Sequence, residues 1–206
     1  MLTSLSQYTR DNIIKDVVGI EGGYTNDPSD NGGATRYGVT QAVAMKHLAD
    51  LKRLFQWDGT MQNLTVPMAV WVYQSDYWDP LSGDAMIALG GKAPLMADLL
   101  FEAGVNMGIQ VVGVFFQNVL NVLNQQAALY PDITVDGNVG PKSVSAFQQL
   151  IAKRPSDGLK NAIFLVTCEV GHHYTAIALQ TASQEKWMSG WANRARTYYE
   201  TFATLY

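Results

Sequence analysis

The most apolar part of the 206-residue chain, Leu95 to Leu123, is interrupted by Asp98, Glu102, Asn106, Gln110, Gln117, Asn118 and Asn121. A helix that crosses a bilayer needs an unbroken apolar run of about 20 residues. This stretch therefore predicts buried helices of a packed protein, with no stable membrane anchor. Helical spacing recurs elsewhere. Ile13, Ile14, Val17 and Val18 fall at i, i+1, i+4 and i+5, one face of a helix expected from near Ser6 to Ile20. Gly22-Gly23 stops it.

From Tyr24 to Thr40 the composition changes to Asp, Asn, Gly and Ser, with Thr35, Tyr37 and Val39 alternating, which predicts a turn-rich loop or small hairpin. Thr40 is placed to cap a helix through Val43, Leu48 and Leu51. A further helix follows Thr65, with Pro67 in its first turn, and ends at Asp79-Pro80. Gly90-Gly91 precedes a helix from near Pro94, and an apolar one begins near Gln110. Asp136-Gly137 and Gly140-Pro141 mark a turn before a helix through Val144, Phe147 and Ile151. The tail predicts two long helices, Leu159 to Leu179 and Gln184 to Tyr206, split near Thr181. There is no internal repeat and no long linker. The fold class expected is mostly α with a small β or loop excursion near residues 24–39.

Hydrophobic residues at 48% and charged residues at 16% exclude a disordered chain. Lys+Arg 14 against Asp+Glu 18 gives a net charge of −4, with no basic stripe, so no nucleic-acid partner is expected. One cysteine, Cys168, excludes an internal disulfide framework and a multi-Cys metal site. Cys168 lies among Leu165, Val166 and Val170 and reads as a small buried hydrophobe. His172 and His173, adjacent on a helix, point about 100° apart and do not chelate together. No metal or cofactor is expected. Near the N-terminus, Gln7, Arg10, Asp11, Lys15 and Asp16 break every apolar stretch that would serve as a signal-peptide core, so synthesis in the cytoplasm without a signal peptide is expected.

Glu21 is the single Glu of the first 100 residues, and it stands at the end of the first predicted helix, before the glycine pair. Unpaired carbonyls at a helix C-terminus disfavour a carboxylate and raise its pKa, which suits a general acid. Asp30 and Thr35 follow in the polar loop. Glycoside hydrolysis needs one carboxyl to protonate the leaving oxygen and another to attack or to hold water, and the order E-x8-D-x4-T meets that demand. On residue types alone, a surface Glu at a frayed helix end and an Asp serving a turn account for the same pattern. Tyr24, Tyr37, Tyr77 and Trp78 supply flat faces that pack either on sugar rings or into the core. Asn106 stands to bond either substrate or loop backbone.

The segment EGGYTNDPSDNGGATRYGVT over residues 21–40 resembles the signature of glycoside hydrolase family 108, the N-acetylmuramidases of phage endolysins and of secretion-associated bacterial muramidases. YWDPLSGD at 77–84 and FEAGVNMG at 101–108 resemble two further family segments. VDGNVGPKS at 135–143 and GWANR at 190–194 resemble the family's C-terminal peptidoglycan-binding region. The resemblance implies a lysozyme-like α-helical fold. It divides the chain into a catalytic lobe, 1–94, and a helical lobe, 95–206, packed together as one unit. It assigns Glu21 as catalytic acid with Asp30 and Thr35 as partners. Ala34 stands where many family members carry a Glu, so a second carboxylate at that point is missing and is inessential.

Cleavage of the β-1,4 bond between N-acetylmuramic acid and N-acetylglucosamine is the expected activity, with Tyr37, Trp78 and Asn106 as substrate-binding candidates. Peptidoglycan is the expected partner, and the enzyme is expected to be a bacteriolytic monomer, released to the cell wall in the periplasm. Two rivals use the same residues differently. A lytic transglycosylase lets the sugar's own 6-hydroxyl attack, and a wall-binding or virion module keeps the fold without turnover.

Overall fold

The computed structural model describes residues 2–20, 23–26 and 33–205. After a single 3-10 turn at Leu5–Gln7, the chain enters α1, Arg10–Ile20, so the expected first helix is split near Tyr8. Tyr8, Ile13, Ile14, Val17 and Val18 are all buried, as the apolar spacing requires. Two short antiparallel strands follow, β1 at Thr35–Arg36 and β2 at Val39–Thr40, with Thr35 opposite Thr40 and Arg36 opposite Val39.

The Thr40 hydroxyl accepts from the Val43 amide at 3.3 Å and opens α2, Gln41–Lys46, which breaks at His47 before α3, Leu48–Phe55. α4, Val66–Tyr73, has its proline in the first turn and runs on into a π turn at Gln74–Trp78, where the Asp79 amide donates to the Gln74 carbonyl at 2.9 Å. α5, Gly83–Ile87, follows.

α6, Pro94–Met107, and α7, Ile109–Leu123, are the central pair, joined at Gly108. In α6, Leu95, Met96, Leu99, Leu100, Phe101 and Ala103 are buried, and the helix packs against α5, the π turn, α7 and α9. α9 is Gly158–Gln180, preceded by α8, Pro141–Lys153, and followed by a 3-10 turn, Ala182–Trp187, and α10, Met188–Thr204. A contiguous set of buried apolar side chains extends from Tyr8 through α6 and α7 to Phe202.

Among the described residues one helix, α9, has the length and apolar composition to cross a membrane. Its Val166, Val170 and Tyr174 are buried, and it lies against α7 and α10. The opposite face carries Phe164, Cys168 and Leu179, all exposed. Cys168 is thus an outward residue, contrary to expectation. Its neighbours Val166 and Val170 take the buried face, set by the contacts with α7 and α10, and position 168 falls on the opposite side. His173 packs edge-on against Phe115 at 5.7 Å, and no metal-binding group of His, Cys, Asp and Glu occurs among the described residues.

Candidate active site

α1 ends at Ile20, so Glu21 follows the helix directly in sequence. Glu21 and Asp30 lie outside the described residues. Thr35 is described, and backbone pairing holds it firmly. Its amide donates to the Thr25 carbonyl at 2.8 Å, and the Thr25 amide donates to its carbonyl at 2.9 Å. Its hydroxyl donates to the Gly33 carbonyl at 3.4 Å. This bridge fastens the residues on either side of the segment that contains Asp30. The Gln41 amide reaches back to the Ala34 carbonyl at 2.8 Å and ties the hairpin to α2. Gln62 reaches across from the 3-10 turn at Met61–Asn63, donating to the Tyr24 hydroxyl at 2.8 Å.

The hairpin turns through Tyr37 and Gly38, with φ of 52° and 72°, the pair of positive values that a two-residue type I′ turn demands. Glycine takes this conformation freely, whereas a tyrosine there costs about 1–2 kcal/mol. Tyr37 is only half-buried, with the Arg36 guanidinium 5.2 Å from its ring centre. The ring stands two residues from Thr35 and is partly open to solvent.

Trp78 is not available to a saccharide, which corrects the expectation from sequence. The side chain is 0% exposed. Its indole packs edge-on against Phe101 at 5.6 Å and donates to Asp84 Oδ1 at 3.0 Å. The other Asp84 oxygen accepts from Arg10 on α1 at 3.2 Å. The π turn after α4 rotates the indole inward to this partner, an outcome that depends on α1 and α6 arriving from distant parts of the chain. Tyr77 is half-buried, with its ring 5.7 Å from that of Tyr73, and burial raises its phenol pKa.

Asn106 is exposed at the end of α6, and both ends of its amide hold protein partners. The amide nitrogen donates to the Glu102 carbonyl at 2.7 Å, and the amide oxygen accepts from Arg194 at 2.6 Å. These bonds tie α6 to α10 and account for the side chain as a structural tether.

A group that sequence reasoning passed over lies where α1, α6 and α10 meet. Asp16, Asp98 and Glu102 line a cavity of about 30 Å³ together with Tyr8 and Tyr198. Burial, then the charges of Glu102 and Asp16, hold the Asp98 carboxyl well above the usual carboxylate range. Burial and Asp16 push Glu102 from 4.5 to about 7, against the opposing pull of Arg194. Tyr198 is 5% exposed, and its hydroxyl has no hydrogen-bond partner among the described residues. The signal available beforehand was an acid pair one turn apart on an otherwise apolar helix. The third carboxylate, contributed by α1, was visible only in three dimensions.

The family model for glycosyl hydrolase 108 matches residues 14–108, and that of a predicted peptidoglycan domain matches residues 113–196. No curated protein sequence matches the chain. Among solved structures, SagA of Brucella abortus is similar over 95% of this chain and 94% of that one, with a TM-score of 0.59 at 20% identity. That likeness is one of fold, and the fold is the mostly α, lysozyme-like one. Residues 14–108 are thus a glycoside hydrolase family 108 region and residues 113–196 a predicted peptidoglycan domain, the two parts of a peptidoglycan hydrolase.

Proposed function

We propose that the enzyme is an N-acetylmuramidase that hydrolyses the β-1,4 bond between N-acetylmuramic acid and N-acetylglucosamine, with Glu21 as general acid. The observation that carries this reading is that the family 108 match, residues 14–108, spans Glu21, Asp30 and Thr35. The hairpin that secures Thr35 against Thr25, and the end of α1 just before Glu21 in sequence, support it. Residues 1–94 form the catalytic lobe in this reading, and residues 95–206 complete the core and hold the wall.

In the reaction Glu21 protonates the glycosidic oxygen as the bond to the anomeric carbon breaks. Asp30 takes a proton from water, whose oxygen adds to that carbon, and Thr35 helps to place the water. Tyr37 offers its ring to a sugar face. This route inverts the configuration and requires the Glu21 and Asp30 carboxyls to stand roughly 6.5–9.5 Å apart; at about 5–5.5 Å Asp30 would instead attack the anomeric carbon, and water would then hydrolyse the glycosyl-enzyme with retention. Synthesis in the cytoplasm, with release to the wall by a separate membrane-permeabilising protein, is part of the same proposal.

The test is a parallel digest of purified peptidoglycan by the parent enzyme and by Glu21→Gln, with mass spectrometry of the products. Reducing muramic-acid ends from the parent alone are expected. Undiminished lysis by a folded Glu21→Gln variant overturns the assignment of the acid. Products ending in 1,6-anhydro sugars identify a transglycosylase instead.

A further inference from the structure

A cavity of about 660 Å³ lies far along the chain from the hairpin. Its wall on one side is the Leu89–Ala93 turn before α6. On the other side are the end of α8, the start of α9 and the residues between them. It is therefore shared by the two matched segments, with Lys92 in the first and Arg154 and Lys160 in the second. These three cations face a single lining carboxylate, Asp157, in a chain whose net charge is −4. Local charge thus runs opposite to the charge of the molecule.

Arg154 is held by an ion pair with Asp157. The two meet at two points, Arg154 Nε donating to Asp157 Oδ1 at 3.1 Å and Nη2 to Oδ2, which leaves the other terminal nitrogen of Arg154 outward. Lys92 and Lys160 each make an interaction of their own within the protein. Between them the walls are apolar, with Leu89 and Ile151 among the lining residues. The volume lies in the range of pockets that bind small ligands, and the lining mixes apolar surface with a few placed charges.

From this geometry we infer that the groove binds the stem peptide of peptidoglycan through its free carboxylates. The inference rests on peptidoglycan being the substrate, and it adds a peptide site to a reading otherwise concerned with glycan. A stem peptide carries more carboxylates than amines, with short apolar side chains between them. Lys92, Lys160 and the outer edge of Arg154 meet the carboxylates, while Leu89 and Ile151 meet the methyl and methylene groups. Because both matched segments build the groove, a bound stem holds the catalytic and wall-binding regions to one strand. An N-acetylated stem tripeptide, which contains no glycosidic bond, isolates this site from turnover.

The experiment titrates the full chain with that tripeptide by calorimetry, in the parent and in a Lys92→Gln/Lys160→Gln variant whose folding is checked by circular dichroism. Digestion of intact sacculi, and of sacculi stripped of stems by an amidase, is measured in parallel. The expected result is a loss of about tenfold or more in tripeptide affinity in the variant, with a parent affinity that weakens as salt rises. Digestion of stripped sacculi stays equal in the two proteins. Equal tripeptide binding by parent and variant overturns the inference, as does no binding by the parent. Digestion of stripped sacculi by the parent then shows that the peptidoglycan reading survives, and its failure on both kinds of sacculi shows that the reading falls too. Tighter binding of a single-stranded oligonucleotide than of the tripeptide, lost in the same variant, overturns the choice of ligand.

Discussion

Gly83 lies under the indole of Trp78, and a Cβ added there would stand 2.2 Å from the ring. The indole cannot retreat, because it is wedged against Phe101 and bonded to Asp84. Gly83→Ala is expected to cost about 1–3 kcal/mol through overpacking, read as a lowered denaturation midpoint with unchanged slope. An unaltered midpoint would mean that the turn at Asp79–Ser82 yields easily. Trp78→Phe removes the bond to Asp84 and leaves that carboxylate with Arg10 alone.

Glu102 makes the protein sensitive to pH in a defined direction. Its pKa rises from 4.5 when unfolded to about 7 in the fold, under burial and the charge of Asp16. Between those values the unfolded chain has lost a proton that the folded chain retains, so stability falls as pH rises through the window. Below pH 4.5 both states are protonated and the full stability is present. Asp98 titrates in the same sense. A melting series from pH 4 to 8 is expected to show a smaller fall for Glu102→Gln than for the parent, with the variant the more stable at pH 8. A variant that melts lower throughout would contradict this origin of the pH dependence.

The segment from Ile133 to Pro141 has little regular structure, yet Gln117 of α7 organises it. Gln117 is 2% exposed. Its amide nitrogen donates to Asp136 Oδ1 at 2.9 Å and to the Asn138 carbonyl at 3.0 Å, and its oxygen accepts from the amides of Asp136 and Gly137 at 3.0 and 2.7 Å. The same bond from Gln117 lowers the Asp136 pKa. Ser82 adds a bond to the Val139 carbonyl at 2.6 Å from the other matched segment. α7 itself comes so close that a Cβ at Gly113 would lie 2.0 Å from the Gly137 carbonyl. Gln117→Leu leaves the buried Gly137 amide unpaired and is expected to cost about 2 kcal/mol, with faster hydrogen exchange confined first to Asp136–Asn138. Equal exchange in parent and variant would show that the loop holds itself.

The elements themselves were largely legible beforehand, because their signals are local. Thr40, Pro67, Pro94 and Gly140-Pro141 mark helix starts through backbone chemistry that needs no partner. Two departures have specific causes. α2 and α3 are separated at His47, whose ring meets Trp71 edge-on at 5.3 Å and Asp76 at 2.8 Å, both on later parts of the chain. The helix from α4 continues as a π turn up to Asp79, which gives Trp78 its inward direction.

Across the molecule, the buried side chains of α6 lie against α5 and the π turn from the first matched segment and α7 and α9 from the second half of the chain. A fragment of residues 95–206 would strip Tyr73 and Trp78 from Phe101 and present its ring to water. It is expected to aggregate, or to lack a cooperative melting transition, when expressed alone. A soluble fragment that melts cooperatively and sediments with peptidoglycan would show instead that the second region stands by itself.

Sequence alone determined the mostly α architecture, the position of the hairpin, and the family motifs around Glu21, Asp30 and Thr35, because periodicity, caps and turn chemistry are written within a few residues of one another. Tertiary structure decided which way side chains faced once those elements met. Trp78 became core, Cys168 surface, and Asn106 a tether to Arg194. Asp16 was brought to Asp98 and Glu102 across more than 80 positions of chain, and Lys92 to Arg154 and Lys160 across about 60. Burial and long-range charge depend on which distant segments pack together, and no local pattern carries that information.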